Sequence, residues 1–312
     1  MKKYAIGVDI GGSHISSAAV DLTTGSIISE SFVEHKINNK ASADEIFKKW
    51  EKAIEGSISK INKLDLEGIG FAMPGPFDYE NGIALFDERV LKYEKLFQIN
   101  VAERIQKDLE LGSADKVRFM NDATSFAVGE AWVGKAAGYK KSIAITLGTG
   151  FGSAFIDSGI PVLEGDNIPK LGCVWHLPFK HGIADDYFST RWFVKTFEKY
   201  TGQELPGVKE ISKLADNGDV KAINLFFEFG RNLGEFLSPW LMKFNDDILV
   251  VGGNMALAFN LWGPVFKAAL DKQNIQIIIE ISELKESAAI AGSARLFDES
   301  FWLKTKPLLS KM

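Results

Sequence analysis

The chain has 312 residues, 46% of them apolar and 25% charged, which is enough for two ordinary domains, each with its own core. Lys and Arg total 36 against 41 Asp and Glu, a formal net charge of −5 that lacks the basic excess favouring non-specific nucleic-acid binding. One cysteine, Cys173, excludes an intramolecular disulfide framework and a thiolate zinc cluster, no apolar run approaches the ~18 residues of a membrane helix, and the start has no sustained apolar export segment, so a soluble, cytoplasmic protein is expected, without a nucleic-acid or membrane partner.

In chain order, Tyr4 to Asp9 and Ile15 to Asp21 are β-branched, aromatic and small, with Gly11 and Gly12 as a tight turn between them, which predicts a hairpin. A third strand is expected over Ser26 to Val33. Apolar residues at Ile46, Trp50, Ile54 and Ile58 predict a helix over Ala43 to Ile61. A buried strand near Gly68 to Met73, a Pro-Gly-Pro loop at 74–76, a helix over Val101 to Leu109 and a strand over Val117 to Met120 follow, and Asn121-Asp122 ends that strand. After a short helix from Ala123 to Trp132, a second glycine-turn hairpin pairs Ser142 to Leu147 with Phe151 to Ile156. Helices are expected over Asp185 to Lys199 and Val220 to Phe244, the latter kinked or divided at Pro239. The apolar strand Asp247 to Val251, Gly252-Gly253, a helix, the strand Ile275 to Ile281 and a helix over Ser287 to Leu296 complete the pattern. Two halves opened by the same hairpin imply two related α/β domains facing one another across a cleft, with a first crossing near residues 118–121.

Four features carry chemistry. Asp9-Ile10-Gly11-Gly12-Ser13 sets a carboxylate at a strand end before two residues without Cβ, so backbone amides can approach an anion; an ordinary hairpin turn with an exposed Asp is the plain alternative. Gly148-Thr149-Gly150-Phe151-Gly152 repeats that logic in the second half, and no Walker-type loop is present. Asp122, at the carboxyl end of a strand, is either a proton acceptor or the N-cap of the next helix. Gly252-Gly253-Asn254 either approaches a nucleoside or is a strand-to-helix turn.

These motifs occur in one order, Asp-x-Gly-Gly-Ser, Pro-Gly-Pro, Asn-Asp-Ala with Gly-Glu beyond, Leu-Gly-Thr-Gly-x-Gly and a late Val-Gly-Gly, and over residues 4–298 that order resembles the repressor, open reading frame, kinase (ROK) family of sugar kinases. The resemblance implies an actin-like (RNase H-like) ATPase fold, with 1–118 and a C-terminal return at about 298–312 as the smaller domain and 119–297 as the larger. It further implies ATP-dependent, glucokinase-like phosphorylation of a hexose hydroxyl, the 6-OH, with Asp122 as general base and Asn121, Gly75, His176 and Asp185 at the sugar. Asp9, Gly11, Gly12, Ser13, Gly148, Thr149 and Gly150 inherit ATP phosphates with Mg2+, Asp9 touching the metal indirectly, and Gly252 and Gly253 the nucleoside side. A homodimer is a family expectation.

The chain departs from the pattern in its sugar pocket. Cys173 stands where the family has a Glu, and the segment from His176 to Gly182 is too short for the family's zinc loop, so no zinc is expected and His176 needs a protein partner to orient it. Asp185 matches a second sugar-contacting Glu, or is a helix N-cap. His14 replaces a common Lys, and Phe86 to Tyr93 holds no clear sugar-binding Asn, although Glu88 or Arg89 could substitute. Competing readings are a polyphosphate-dependent glucokinase, a non-catalytic sugar-binding regulator, and a DNA-binding repressor, which the start of the chain at its first strand disfavours.

Overall fold

The computed structural model describes residues 3–87 and 92–312, so Glu88 and Arg89 lie outside the described residues. The elements are β1 (Tyr4–Ile10), β2 (His14–Asp21), β3 (Val33–Lys36), α1 (Ala43–Ile58), β4 (Leu66–Met73), β5 (Phe77–Asp78), β6 (Ile83–Ala84), α2 (Val101–Asp108), β7 (Val117–Asn121) and α3 (Asp122–Val133). They continue with β8 (Lys141–Leu147), β9 (Phe151–Asp157), β10 (Ile160–Pro161), β11 (Pro178–Phe179), β12 (Gly182–Ile183), α4 (Ala184–Tyr187), α5 (Thr190–Thr201), α6 (Val208–Asp216) and α7 (Val220–Phe244). Last come β13 (Ile248–Gly252), α8 (Phe259–Asp271), β14 (Ile278–Ile281), α9 (Glu286–Ala294) and α10 (Glu299–Thr305).

Two five-stranded sheets share one topology. The first runs β3-β2-β1-β4-β7 and the second β10-β9-β8-β13-β14, each with antiparallel strands on one side and parallel ones on the other. The chain divides into two compact units, Met1–Gly138 with Ile156–Pro161 and Glu283–Met312, and Tyr139–Phe155 with Val162–Ser282. The first crossing thus falls at Gly138 instead of 118–121, and α3 and α9, assigned above to the second domain, belong to the first unit. Each unit has its own apolar core: Trp50, Phe47, Phe71 and Phe119 in the first, Phe188, Phe193, Phe229 and Trp262 in the second. Strands buried on both faces, such as β1 and β13, read as continuous apolar runs because helices cover the sheets.

Local chemistry explains where the expected elements shifted. The third strand begins only at Val33, because Ser29–Ser31 form a short 3-10 turn in which the buried Ser31 hydroxyl bonds Ile28 O at 2.6 Å and accepts Ala19 N–H at 2.8 Å. Helix α1 starts at a capping box, Ser42 and Glu45 bonding each other's backbone N–H. Helix α7 runs unbroken through Pro239, whereas the helix expected over 185–199 is two, α4 and α5. Among the described residues no helix is long and apolar enough to cross a membrane.

Candidate functional site

Three parallel strands of the first sheet end side by side, the register pairing Asp9 with Ala72 and Met73 with Asn121. Asp9, the loop holding Gly75 and the Asn121-Asp122 pair therefore leave one carboxyl edge, where α/β sheets collect ligand contacts. The capping question raised by Asp122 is answered here. Asn121 is the N-cap of α3, its Oδ1 accepting Thr124 N–H at 3.1 Å, and Asp122 is the first helical residue. Asn121 Nδ2 donates to the Tyr79 hydroxyl at 3.2 Å and to Asp122 Oδ1 at 3.0 Å, while Ala123 N–H donates to that same Oδ1 at 2.8 Å. Asn121 thus commits both its amide hydrogens and its oxygen to the chain itself, which makes it a positioning group for the carboxylate. Tyr79 in turn donates to Met73 O at 3.0 Å, at the end of β4. Burial raises the Asp122 pKa, opposed by the Ala123 hydrogen bond and the charge of Lys92.

Asp9 shares this edge. Its carboxyl is pushed up to about 7, first by burial and then by the charges of Asp122 and Glu286, with His14 opposing. The turn after it is held from several sides. Tyr93 donates its hydroxyl to Gly11 O at 2.6 Å and its backbone N–H to Asn39 O at 3.0 Å, and Asn39 Nδ2 donates to Gly12 O. His14 Nε2 lies 3.3 Å from Glu286 Oε1, and Ser16 Oγ donates to Glu286 Oε2 at 3.1 Å across 270 residues of sequence. The hydrogen bond between His14 and Glu286 raises the His14 pKa and lowers that of Glu286. Ser13 stands exposed at the tip, as Thr149 does in the second hairpin.

In the second unit the Gly148–Gly150 turn, Gly252-Gly253 and Asp185 come together. Gly253 has φ +80°, and a Cβ there would lie 2.4 Å from Leu147 O, so only glycine lets this backbone rest on the end of β8. Asp185 Oδ1 accepts Phe151 N–H at 2.7 Å and Oδ2 pairs with Arg191 Nη2 at 2.5 Å, while Thr190 bonds Gly148 O through both its N–H and its hydroxyl. Asp185 is therefore fastened to the hairpin, and it does not cap a helix; the residue preceding α4 is Ile183. Cys173 Sγ approaches His176 Nδ1 at 3.8 Å, and the His176 ring stacks edge-on with Trp175. Burial pushes the Cys173 thiol up to about 11 and depresses the His176 pKa, so both are neutral at pH 7.

The shortened segment after His176 is a tight hairpin, Pro178 opposite Ile183 and Phe179 opposite Gly182. Phe179 packs against Tyr187, Phe188 and Phe236 with ring centroids 5.1–5.4 Å apart. Among the described residues no three His, Cys, Asp or Glu side chains form a metal-binding group.

The model of the ROK family matches residues 5–300. The chain belongs to this family. It is 25% identical to a glucokinase of Thermotoga maritima, over 96% of this chain and 98% of that protein. It is also 26% identical to an N-acetyl-D-glucosamine kinase of Photobacterium profundum, over 80% and 84%. A crystal structure of a ROK family glucokinase from Streptomyces griseus, in complex with glucose and AMPPNP, superposes with a TM-score of 0.74 at 22% identity, covering 94% of this chain and 98% of that one. The fold is accordingly the actin-like ATPase fold of the ROK kinases, in two α/β domains.

Asn39, Tyr79, Tyr93, Lys92 and Glu286 were not singled out in the sequence. Each reaches the site from an element whose own pattern speaks only of strand, loop or helix.

Proposed function

We propose that this ROK chain is a sugar kinase, transferring the terminal phosphoryl of ATP to a hexose hydroxyl, the 6-OH, with Asp122 as general base. The observation carrying this reading is the shared carboxyl edge, with an oriented Asp122 carboxylate on the same three strand ends as the Asp9 and Gly11-Gly12 turn. The two donors on Oδ1 orient the Asp122 carboxylate, and Oδ2 is the oxygen they leave to meet the hydroxyl proton. Its raised pKa makes it a stronger proton acceptor once ionised, and the Lys92 charge and the Ala123 and Asn121 hydrogen bonds favour the ionised form.

Asp9 fits a divalent cation. Its carboxyl is pushed up to about 7 by burial and by neighbouring carboxylates, and a positive ion would offset both. Magnesium carried with the nucleotide needs only one or two protein carboxylates, and when bound it would neutralise phosphate charge. Backbone amides of the Gly11-Gly12 and Gly148–Gly150 turns, with the exposed Ser13 and Thr149 hydroxyls, suit phosphate oxygens.

The pocket side supports a hexose class more than a particular hexose. Cys173 and His176 are neutral and Asp185 is engaged with Arg191 and Phe151, so fewer charged groups address the sugar than the sequence resemblance implies. The test is a screen of hexoses, N-acetylhexosamines and fructose with ATP and Mg2+, coupled to ADP release, with polyphosphate as the parallel donor. ADP release with at least one sugar is expected. Transfer from polyphosphate alone would replace the donor, and calorimetric sugar binding without any phosphorylation would overturn the kinase reading.

A further inference from the structure

Lys92 lies before α2, within the Phe86 to Tyr93 segment but not among the residues that the sequence motifs single out. A Cβ built on Gly12 would stand 3.5 Å from Lys92 Nζ and equally close to its Cε, so the ammonium rests over the turn that follows Asp9. The C-terminal neighbour of Lys92 is held there firmly. The next residue, Tyr93, is fully buried, adopts φ +56° and ψ +23°, and packs its ring 5.9 Å from Trp50 and 5.7 Å from Phe86. A left-handed conformation at a bulky residue costs of order 1–3 kcal/mol and persists only where its surroundings over-determine it. Here the Gly11 and Asn39 hydrogen bonds of Tyr93 do so, and they register the Lys92 backbone against the turn. The charge of Lys92 also acts on Asp122, which it stabilises in the ionised form.

One ammonium thus addresses both the Gly12 turn and the Asp122 carboxylate. We propose that Lys92 is a second catalytic residue, whose ammonium contacts the terminal phosphoryl of the donor as it passes to the sugar. The inference rests on the kinase reading above. In the step, the sugar hydroxyl oxygen forms a bond to the terminal phosphorus as the bond from phosphorus to the bridging oxygen breaks. ADP leaves with that electron pair and the hydroxyl proton goes to Asp122. Lys92 keeps its proton and its charge throughout, and offsets negative charge on the phosphoryl oxygens where it develops. Among the described residues, His14 is engaged with Glu286 and the Lys92 ammonium is the cation that lies against Gly12.

The placement separates ATP from ADP, since only ATP carries the phosphoryl that Lys92 would meet. Calorimetry on the full chain with Mg·ATP and Mg·ADP, together with turnover, compares wild type with Lys92→Met, Lys92→Ala and Lys92→Arg. A lost charge-assisted hydrogen bond should weaken ATP about 10-fold or more in Lys92→Met and Lys92→Ala. ADP affinity should stay within about 2-fold, kcat should fall on the order of 100-fold, and Lys92→Arg should recover part of both losses. ATP affinity and kcat within about 3-fold of wild type in Lys92→Met would overturn the proposal and leave the kinase reading standing. Equal weakening of ATP and ADP, accompanied by a lower melting temperature, would make Lys92 a structural residue and overturn it too. Wild-type protein that neither binds ATP nor phosphorylates any sugar would remove the kinase reading, and this role with it.

Discussion

Gly292→Ala should disable the site from a distance. Helix α9 reads Glu-Ser-Ala-Ala-Ile-Ala-Gly-Ser-Ala and packs backbone to backbone on α3. A Cβ at Gly292 would lie 1.8 Å from Ser125 O, where an ordinary carbon–oxygen contact needs ~3.3 Å, so α9 and α3 must part by more than ~1 Å. Retreat toward the sheet is blocked. On that side, Cβ atoms at Gly7 and Gly70 would already fall 2.0 Å from Ile290 O and 1.9 Å from Ser293 O, so the backbones are in contact there as well. The displacement falls on α3, whose first residue is Asp122.

Overpacking a core costs ~1–3 kcal/mol, and with backbone on both sides the upper end, about 3 kcal/mol, is expected. For a unit of this size that lowers Tm by roughly 6–12 °C. Misplacing a catalytic carboxylate by about 1 Å costs on the order of 100-fold in kcat. Thermal melts followed by circular dichroism and ADP-release kinetics at 25 °C read the two effects separately. A Tm within about 2 °C of wild type would refute the packing argument. A lowered Tm with kcat unchanged would refute the coupling of this helix pair to Asp122.

Asp122→Asn should lower kcat at least ~100-fold with nucleotide affinity little changed; turnover near wild type would remove Asp122 from the chemistry. Phe179→Ala should destabilise the second unit by about 2–3 kcal/mol in urea titration, somewhat below the usual cost for a buried Phe because this ring is only partly covered, whereas EDTA should leave Tm unchanged. One bound zinc per chain by metal analysis would contradict the second half of that expectation. The Glu286 interaction raises the His14 pKa, so its stabilisation is fully present below the ordinary histidine value of 6.5 and is lost as pH rises through the folded-state pKa. Glu286, lowered from 4.5, loses its share as pH falls through its own folded-state pKa, so both contributions are complete between 4.5 and 6.5. In Glu286→Gln, the His14 imidazole should titrate at lower pH by NMR, and an unchanged titration would show that the ion pair does not set it.

What could be read in advance was local, and what could not was long-range. The glycine turns and their flanking strands follow from residue preferences over a dozen positions, and the structure returns them within a residue or two. Asp122 was ambiguous because a strand-ending Asp before a helix suits both a cap and a base. Neighbouring Asn121 takes the cap, so Asp122 is not the capping residue, and that division of labour depends on side-chain geometry that spacing does not encode. The Asp185 side chain shows the opposite limit. Its position after the shortened hairpin suggested a sugar contact, but Arg191, six residues on, and the Phe151 amide hold both its oxygens. The contacts that shape the first turn come from Asn39, Tyr93 and Glu286, and the sheet brings them to one edge only after strands distant in sequence have paired. A family and a fold written in short motifs were therefore legible, whereas the groups that tune charge at this edge, Glu286 on His14 and Lys92 on Asp122, become visible only when the sheet edge is assembled.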